Sequence, residues 1–255
     1  MPHPAQPDAA GRALVTPYYD ADGITLYHAD MRDVLPALYA ADLIVTDPPY
    51  VVGLASSVWE TNKVGGWPDL MNAAVWYGAW LAECRRLTAV PQGAAWVFNS
   101  WRSFPALARG AYEARWAIQS LLVWDKQHIG PAGLRGLRPR YEVVALFAQR
   151  RFAIADRTIP DICAFRWPAT RKPTGHPAEK PVTLLRHLIQ ISGGEFVLDP
   201  FAGSGSTLVA AKQLGRRAVG IELEERWCEL AAGRLEATVV GSAVRGDLGR
   251  AEVTR

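Results

Sequence analysis

Short unbroken runs of apolar and β-branched residues recur along the chain: Ile24 to Tyr27, Leu43 to Thr46, Ala94 to Phe98, Leu121 to Trp124, Val143 to Phe147, Phe196 to Leu198 and Ala218 to Ile221. A run that does not alternate with polar residues is the mark of a strand covered on both faces, so these seven segments are expected to form a mostly parallel, buried sheet. Segments of helical period lie between them. Val182, Leu185, Leu188 and Ile189 share one helical face, with Pro181 placed to open that helix and Gly193-Gly194 to close it. Val75 to Leu81 and Glu224 to Leu235 carry the same spacing, and the alternation of strand and helix predicts an α/β fold. Before residue 20 no period exists, and Pro and Ala dominate, so residues 1–20 read as a flexible arm, 21–240 as the domain and 241–255 as a polar tail. Between Trp124 and Pro181 glycines and prolines interrupt the pattern repeatedly, which makes 126–180 a loop-rich region suited to binding a partner.

Composition narrows the class. A chain of 255 residues fits one large α/β domain, and 49% hydrophobic with 21% charged residues is a globular balance that buries a core, with most of the ten tryptophans expected inside it. The longest apolar run, Ala73 to Ala82, is about half of what a bilayer requires, so a soluble, cytoplasmic protein without a membrane segment is expected. Cys84, Cys163 and Cys228 are too few and too scattered for a disulfide framework, and neither they nor the five histidines show metal-ligand spacing, so no metal is expected. The net charge of +3 is small, but residues 126–180 alone hold eleven Lys and Arg against four Asp and Glu. This segment is therefore strongly basic while the remainder is acidic, and Arg135, Arg138, Arg140, Arg150, Arg151, Arg171 and Lys172 are candidates for a phosphate-facing surface.

Two strand ends carry chemistry. Phe196 to Asp199 is followed by Pro200-Phe201-Ala202-Gly203-Ser204-Gly205-Ser206-Thr207, a glycine-rich turn opening a helix, where ligands can approach the backbone and its free N–H groups. Glu222 falls 19 residues after Gly203, at the end of the following strand, where a carboxylate can accept from ribose hydroxyls. Leu208 replaces the third glycine of a dinucleotide fingerprint and no Gly-Lys-Ser/Thr follows, which weakens dehydrogenase and NTPase readings. Upstream, Leu43 to Thr46 ends in Asp47-Pro48-Pro49-Tyr50. Two prolines fix φ and remove two donors, so the turn presents carbonyls in a stiff frame beside a carboxylate and an aromatic ring. That set suits a planar ring bearing an amino group: Asp47 and the Pro48 carbonyl accept its hydrogens and Tyr50 stacks on it.

Asp47-Pro-Pro-Tyr50, Asp199-Pro-Phe-Ala-Gly-Ser-Gly205 and His176-Pro-Ala-Glu-Lys180-Pro181 together resemble the amino-methylating DNA methyltransferases. The order of the motifs resembles the circularly permuted β group of that family. The resemblance spans roughly Leu26 to Leu235 and implies a Rossmann-like domain with a seven-stranded, mostly parallel sheet and a short target-recognition insertion. It implies S-adenosylmethionine as cofactor, in contact with Asp47, Asp199, Phe201, Ala202, Gly203, Gly205, Ser206 and Thr207. Glu222 would take the ribose, Asp30 the adenine amino group, and Lys180 the methionine end. Ala178 stands where relatives often carry a hydroxyl, so no side-chain bond is expected there. Trp124-Asp125-Lys126 and Tyr141-Glu142 are strand-end elements that either flank the target pocket or form structural ion pairs.

The implied reaction is methylation of the exocyclic amine of a base flipped out of double-stranded DNA, with Asp47, Pro48, Pro49 and Tyr50 as the catalytic set. No cysteine nucleophile is needed. Asp at position 47 favours adenine N6, since relatives acting on cytosine N4 more often begin this motif with Ser. A restriction-modification setting in a bacterial or phage-infected cell follows from the same resemblance, and a homodimer is among the expected assemblies. Cytosine-N4, RNA and protein-glutamine methyltransferases remain alternatives, as does a DNA-binding module without activity, which would not need the glycine-rich turn and Glu222 beside Asp47.

Overall fold

The computed structural model describes residues 16–50, 67–130, 137–167, 175–176 and 178–242, with the side chains of 67–70 outside that description. All nine strands of the described residues join one sheet: β1 (Tyr19–Ala21), β2 (Ile24–His28), β3 (Leu43–Thr46), β4 (Ala94–Asn99), β5 (Ile118–Asp125), β6 (Tyr141–Ala148), β7 (Ile162–Ala164), β8 (Phe196–Asp199) and β9 (Arg217–Glu222). Their order across the sheet is β1-β2-β9-β8-β3-β4-β6-β5-β7. The helices are α1 (Met31–Val34), α2 (Trp67–Leu87), α3 (Phe104–Glu113), α4 (Val182–Ser192), α5 (Ser206–Gln213) and α6 (Glu225–Glu236).

Alternation of side chains along the central strands sorts the core into two layers. Leu43, Val45, Trp96 and Phe98 face α4, α5 and α6, packing with Leu188, Val209 and Leu235. Ile44, Ala95 and Val97 face the other way, onto Tyr77, Trp80 and Leu81 of α2 and Leu107 of α3. Every residue of β3 and β4 is thus enclosed, as the uninterrupted apolar runs anticipate. Pro181 caps α4, and Gly193 adopts a left-handed conformation (φ 74°) at its C-terminus, donating to the Ile189 carbonyl.

All seven strands expected from the sequence are present. The count is corrected to nine by β1 and β7, three-residue strands at the two edges of the sheet. Edge strands need only one partner and little apolar surface, so their sequences carry a weak pattern. β1 includes Tyr19 and Asp20, the last positions of the stretch read as an arm; residues 1–15 and 243–255 lie outside the described residues.

The sheet is parallel from β2 through β4 and again between β5 and β7, with β6 antiparallel to both its neighbours and β1 antiparallel to β2. From β8 the chain crosses through α5 to β9 on one side; from β3 it crosses through α2 to β4 on the other. β3 and β8 are neighbours, so the winding reverses between them, and a crevice opens beyond their carboxyl ends. Both chemical motifs stand at that reversal.

Candidate active site

A cavity of about 730 Å³ occupies the crevice. Asp47, Pro48, Pro49 and Tyr50 line it from the end of β3, and Asp199, Phe201, Ala202, Gly203, Ser206 and Thr207 from the end of β8. Asp30, Lys180 and Glu222 complete the expected set. Gly205 is the exception and does not line the cavity. At φ 79°, a Cβ there would lie 2.7 Å from Ala231 Cβ of α6, so its lack of a side chain lets α6 pack against the turn.

The two motifs are joined directly. Thr46 Oγ1 donates to Asp199 Oδ1 at 2.7 Å, and the Phe201 N–H donates to the same oxygen at 3.1 Å. Burial pushes the Asp199 carboxyl up to about 6, although the Thr207 and Thr46 hydroxyls hold it back. Pro49 is pinned from behind: Tyr77 of α2 donates its hydroxyl to the Pro49 carbonyl at 3.3 Å and accepts from Asn99 Nδ2 at 3.1 Å.

Gly203 has φ 51°, and its N–H donates to Glu222 Oε2 at 2.8 Å, while the Glu224 N–H donates to Oε1 at 2.8 Å. Glu222 therefore clamps the glycine-rich turn and still offers a second lone pair on each oxygen to a ligand hydroxyl. A Cβ on Gly203 would come within 3.3 Å of the His176 ring, which itself meets Trp227 edge to face at 4.4 Å between centroids. Arg234 of α6 supports the same turn from below, donating to the Ser204 carbonyl at 2.6 Å and to Ser206 Oγ at 3.0 Å. Asp30 caps α1 and receives Arg32 on both carboxylate oxygens, at 2.9 and 2.5 Å, so its oxygens are partnered before any ligand arrives.

Lys180 Nζ lies 2.5 Å from Asp47 Oδ2 and 3.3 Å from Glu142 Oε2. Glu142 accepts the Tyr50 hydroxyl at 2.9 Å and pairs through Oε1 with Lys126 at 3.3 Å. Two carboxylates and two ammonium groups thus neutralise one another below the surface. Burial raises the Asp47 pKa, with Lys180 pulling it back and Glu142 pushing it further up. For Lys180 burial works against the charge, yet Asp47 and Glu142 outweigh it and its pKa is raised. Asp47 Oδ1 is buried without a hydrogen-bond partner. Lys126 and Glu142 are therefore both pocket-flanking and ion-paired, the two alternatives their sequence left open; Asp125 pairs instead with Arg140, at 2.6 Å on the outside.

Trp76 and Trp167 line the cavity without a signal in the sequence that marked them. Trp76 sits beside the buried stripe of α2 and packs on Phe201 at 5.7 Å, so by spacing it counts as core. Trp167 follows β7 in a stretch with no period to place it, and donates Nε1 to the Glu179 carbonyl at 3.2 Å.

A family model described as DNA methylase matches residues 41–168 and 163–233. The chain belongs to the N6/N4 DNA methylase family. This methylase is 33% identical over 202 residues to YubD, a methylase by its name, from Escherichia coli (strain K12), an alignment covering 78% of this chain and 83% of the relative. It is 26% identical over 260 residues to the type II methyltransferase M2.DpnII of Streptococcus pneumoniae, covering 89% and 95%. Among solved structures, M1.HpyAVI in complex with SAM superposes with a TM-score of 0.64 at 25% identity, over 83% of this chain and 98% of that one. The cytosine-N4-specific PvuII DNA methyltransferase gives a TM-score of 0.69 at 17% identity, covering 86% and 88%, and shares the fold.

Proposed function

We propose that this DNA methylase transfers a methyl group from S-adenosylmethionine to the N6 amine of an adenine flipped out of duplex DNA. The observation that carries the reading is Asp47 Oδ1, a buried carboxylate oxygen without a partner in the cavity that also holds the glycine-rich turn and Glu222. A desolvated acceptor is costly unless a ligand donor satisfies it, and an amino hydrogen is such a donor.

The cavity fits the cofactor. Phe201 and Trp76 provide an apolar wall, Glu222 has lone pairs for the ribose hydroxyls, and the open backbone at Gly203 leaves room that a side chain would fill. When bound, S-adenosylmethionine supplies an electrophilic sulfonium methyl group. An exocyclic amine conjugated to its ring is a poor nucleophile, and a duplex hides it, so the residues of this chain must extract, hold and activate it. Tyr50 offers its ring for stacking. Asp47 Oδ1 and the Pro48 carbonyl accept the two amino hydrogens, which directs the nitrogen lone pair away from them. Lys180 on Oδ2 favours the ionised form of Asp47 against the effect of burial. The methylated nitrogen must then shed a proton, and Asp47, whose pKa burial already raises, is the acceptor the pocket supplies.

Asp47 at the head of the motif supports adenine over cytosine, and the motif order supports the circularly permuted β group. A restriction-modification role is consistent with the type II names of relatives such as M2.DpnII. Among the described residues no helix is long and apolar enough to cross a membrane. The test is to incubate the protein with duplex DNA and methyl-labelled S-adenosylmethionine and identify the labelled nucleoside by mass spectrometry. Label in N6-methyladenine is expected; label in N4-methylcytosine would overturn the choice of base, and label only in RNA or protein would overturn the choice of substrate.

A further inference from the structure

We infer that Glu142 is a positioning residue for methyl transfer, acting on the target base through the Tyr50 hydroxyl and on Asp47 through Lys180. The inference rests on the function proposed above and concerns how the base platform and the amine acceptor are held in one frame.

β6 runs antiparallel to β4, pairing Val143 with Asn99, so its first residues arrive at the same sheet edge as the carboxyl ends of β3 and β4. Glu142 is two strands away from Asp47, a separation of roughly 10 Å between backbones that only long side chains can bridge. Lys180 closes the gap, with Nζ at 2.5 Å from Asp47 Oδ2 and 3.3 Å from Glu142 Oε2. The same Glu142 oxygen accepts the Tyr50 hydroxyl at 2.9 Å. One carboxylate oxygen thereby ties together the stacking ring and the cation that holds the amine acceptor. Lys126, 3.3 Å from the other oxygen, fixes the carboxylate in turn.

An ion pair needed only for stability would require Lys180 and Asp47 alone. The second carboxylate brings a desolvation cost of its own, offset by Lys126, and its distinctive bond goes to Tyr50. Burial and the two neighbouring carboxylates push the Tyr50 phenol well above its usual range, so it stays a neutral donor to Glu142. Stacking of a base on a ring needs no hydroxyl. The hydroxyl's use is to stop the ring turning before the base arrives, which is the ordering cost that preorganisation removes from binding.

Tyr50→Phe keeps the ring and deletes the bond; Glu142→Gln keeps the shape and deletes the charge. Steady-state methyl transfer to duplex DNA by the parent, both single variants and the double variant decides the matter, alongside calorimetric cofactor affinity. Each single variant is expected to lower kcat/KM for DNA roughly ten-fold, the size of one charge-assisted hydrogen bond. The double variant should fall little further than the worse single one, because both changes weaken the shared Tyr50–Glu142 link, one by removing its donor and the other by removing the charge of its acceptor. Cofactor affinity of Tyr50→Phe should stay at the parent value, since that change leaves both the glycine-rich turn and the Lys180 ion pairs in place. Multiplying effects in the double variant, or Tyr50→Phe at the parental kcat/KM, would overturn the role of Glu142 while leaving the function standing. The isosteric Tyr50→Phe change keeps the test decisive even if Glu142→Gln folds poorly. A parent protein that transfers no methyl group to DNA would instead overturn the function, and this inference with it.

Discussion

At the scale of single residues, Asp47 and Tyr50 should fail in different ways. In the proposed mechanism Asp47 orients the amine, so Asp47→Ala should lower kcat roughly 10²–10³-fold while cofactor binding, read by calorimetry, persists. Tyr50 is proposed to stack on the base, so Tyr50→Ala should chiefly raise KM for DNA, by the roughly 1–3 kcal/mol that base stacking contributes. Glu222 clamps Gly203 and Glu224 as well as facing the ribose position, so Glu222→Ala should weaken cofactor binding at least about ten-fold, through both losses. Unchanged affinity would remove Glu222 from the site. Asp199 gives a pH prediction. Its folded pKa, about 6, lies above the ordinary carboxylate value of 3.8, so its contribution to stability is fully present below that lower value and is lost as pH rises through about 6. Two units correspond to about 3 kcal/mol, an upper figure. Chemical denaturation should show the parent losing stability relative to Asp199→Asn between about pH 4 and 6. The sequence made these candidates legible because each residue sits in a motif whose chemistry is local: a carboxylate, two prolines and a ring in four consecutive positions, or a glycine turn and an acid one strand later. It could not show the partners. That Lys180 rests on Asp47, or that Tyr50 engages Glu142, depends on which side chains the fold brings within 3 Å, and 133 residues separate Lys180 from Asp47 and 92 separate Glu142 from Tyr50.

At the scale of elements, two glycines separate backbone strain from packing. Gly205 and Gly215 both have left-handed backbones, φ 79° and 68°, but a Cβ at 205 would meet Ala231 at 2.7 Å whereas one at 215 would meet nothing within 4 Å. Gly215→Ala should therefore cost about 1–2 kcal/mol of strain alone. Gly205→Ala should add about 1–3 kcal/mol of overpacking against α6 and shift the denaturation midpoint further. Equal midpoints for the two variants would contradict the packing role given to Gly205. The central strands and α4 were legible because burial on both faces, or a proline and a glycine at the right ends, leaves a strong pattern. β1 and β7 were not, since three residues at a sheet edge are fixed by the neighbouring strand rather than by their own pattern. Trp76 shows a related limit: helical period tells which face is apolar, and a tryptophan at the margin of that face reads as core although it borders a cavity.

At the scale of the whole molecule, the basic excess of residues 126–180 divides by sheet edge. Lys126 and Lys180 are inside the cavity, neutralised by Glu142 and Asp47. Arg138, Arg140 and Arg166 follow or precede strand ends on the cavity side. Arg150 and Arg151 do not: they follow β6, whose last residue pairs with the first of β4, and the Arg151 N–H donates to the Pro91 carbonyl. An eight-residue strand, roughly 25 Å, separates them from the cavity. Those two positions therefore stand apart from the cavity mouth, while Arg135, Arg171 and Lys172 lie outside the described residues. If DNA lies across the cavity mouth, replacing Arg138 and Arg166 with Ala should flatten the salt dependence of duplex affinity by about two units, and replacing Arg150 and Arg151 should leave it unchanged. Equal flattening by both pairs would place DNA elsewhere on the molecule. The central claim, that Asp47 activates a DNA base amine, is tested most directly by the single-turnover rate of methyl transfer to duplex DNA with parent and Asp47→Ala side by side at saturating cofactor. Methylated base amine formed by the parent and a rate at least about a hundred-fold lower in the variant are the result expected. Methyl transfer by Asp47→Ala at the parental rate would contradict it.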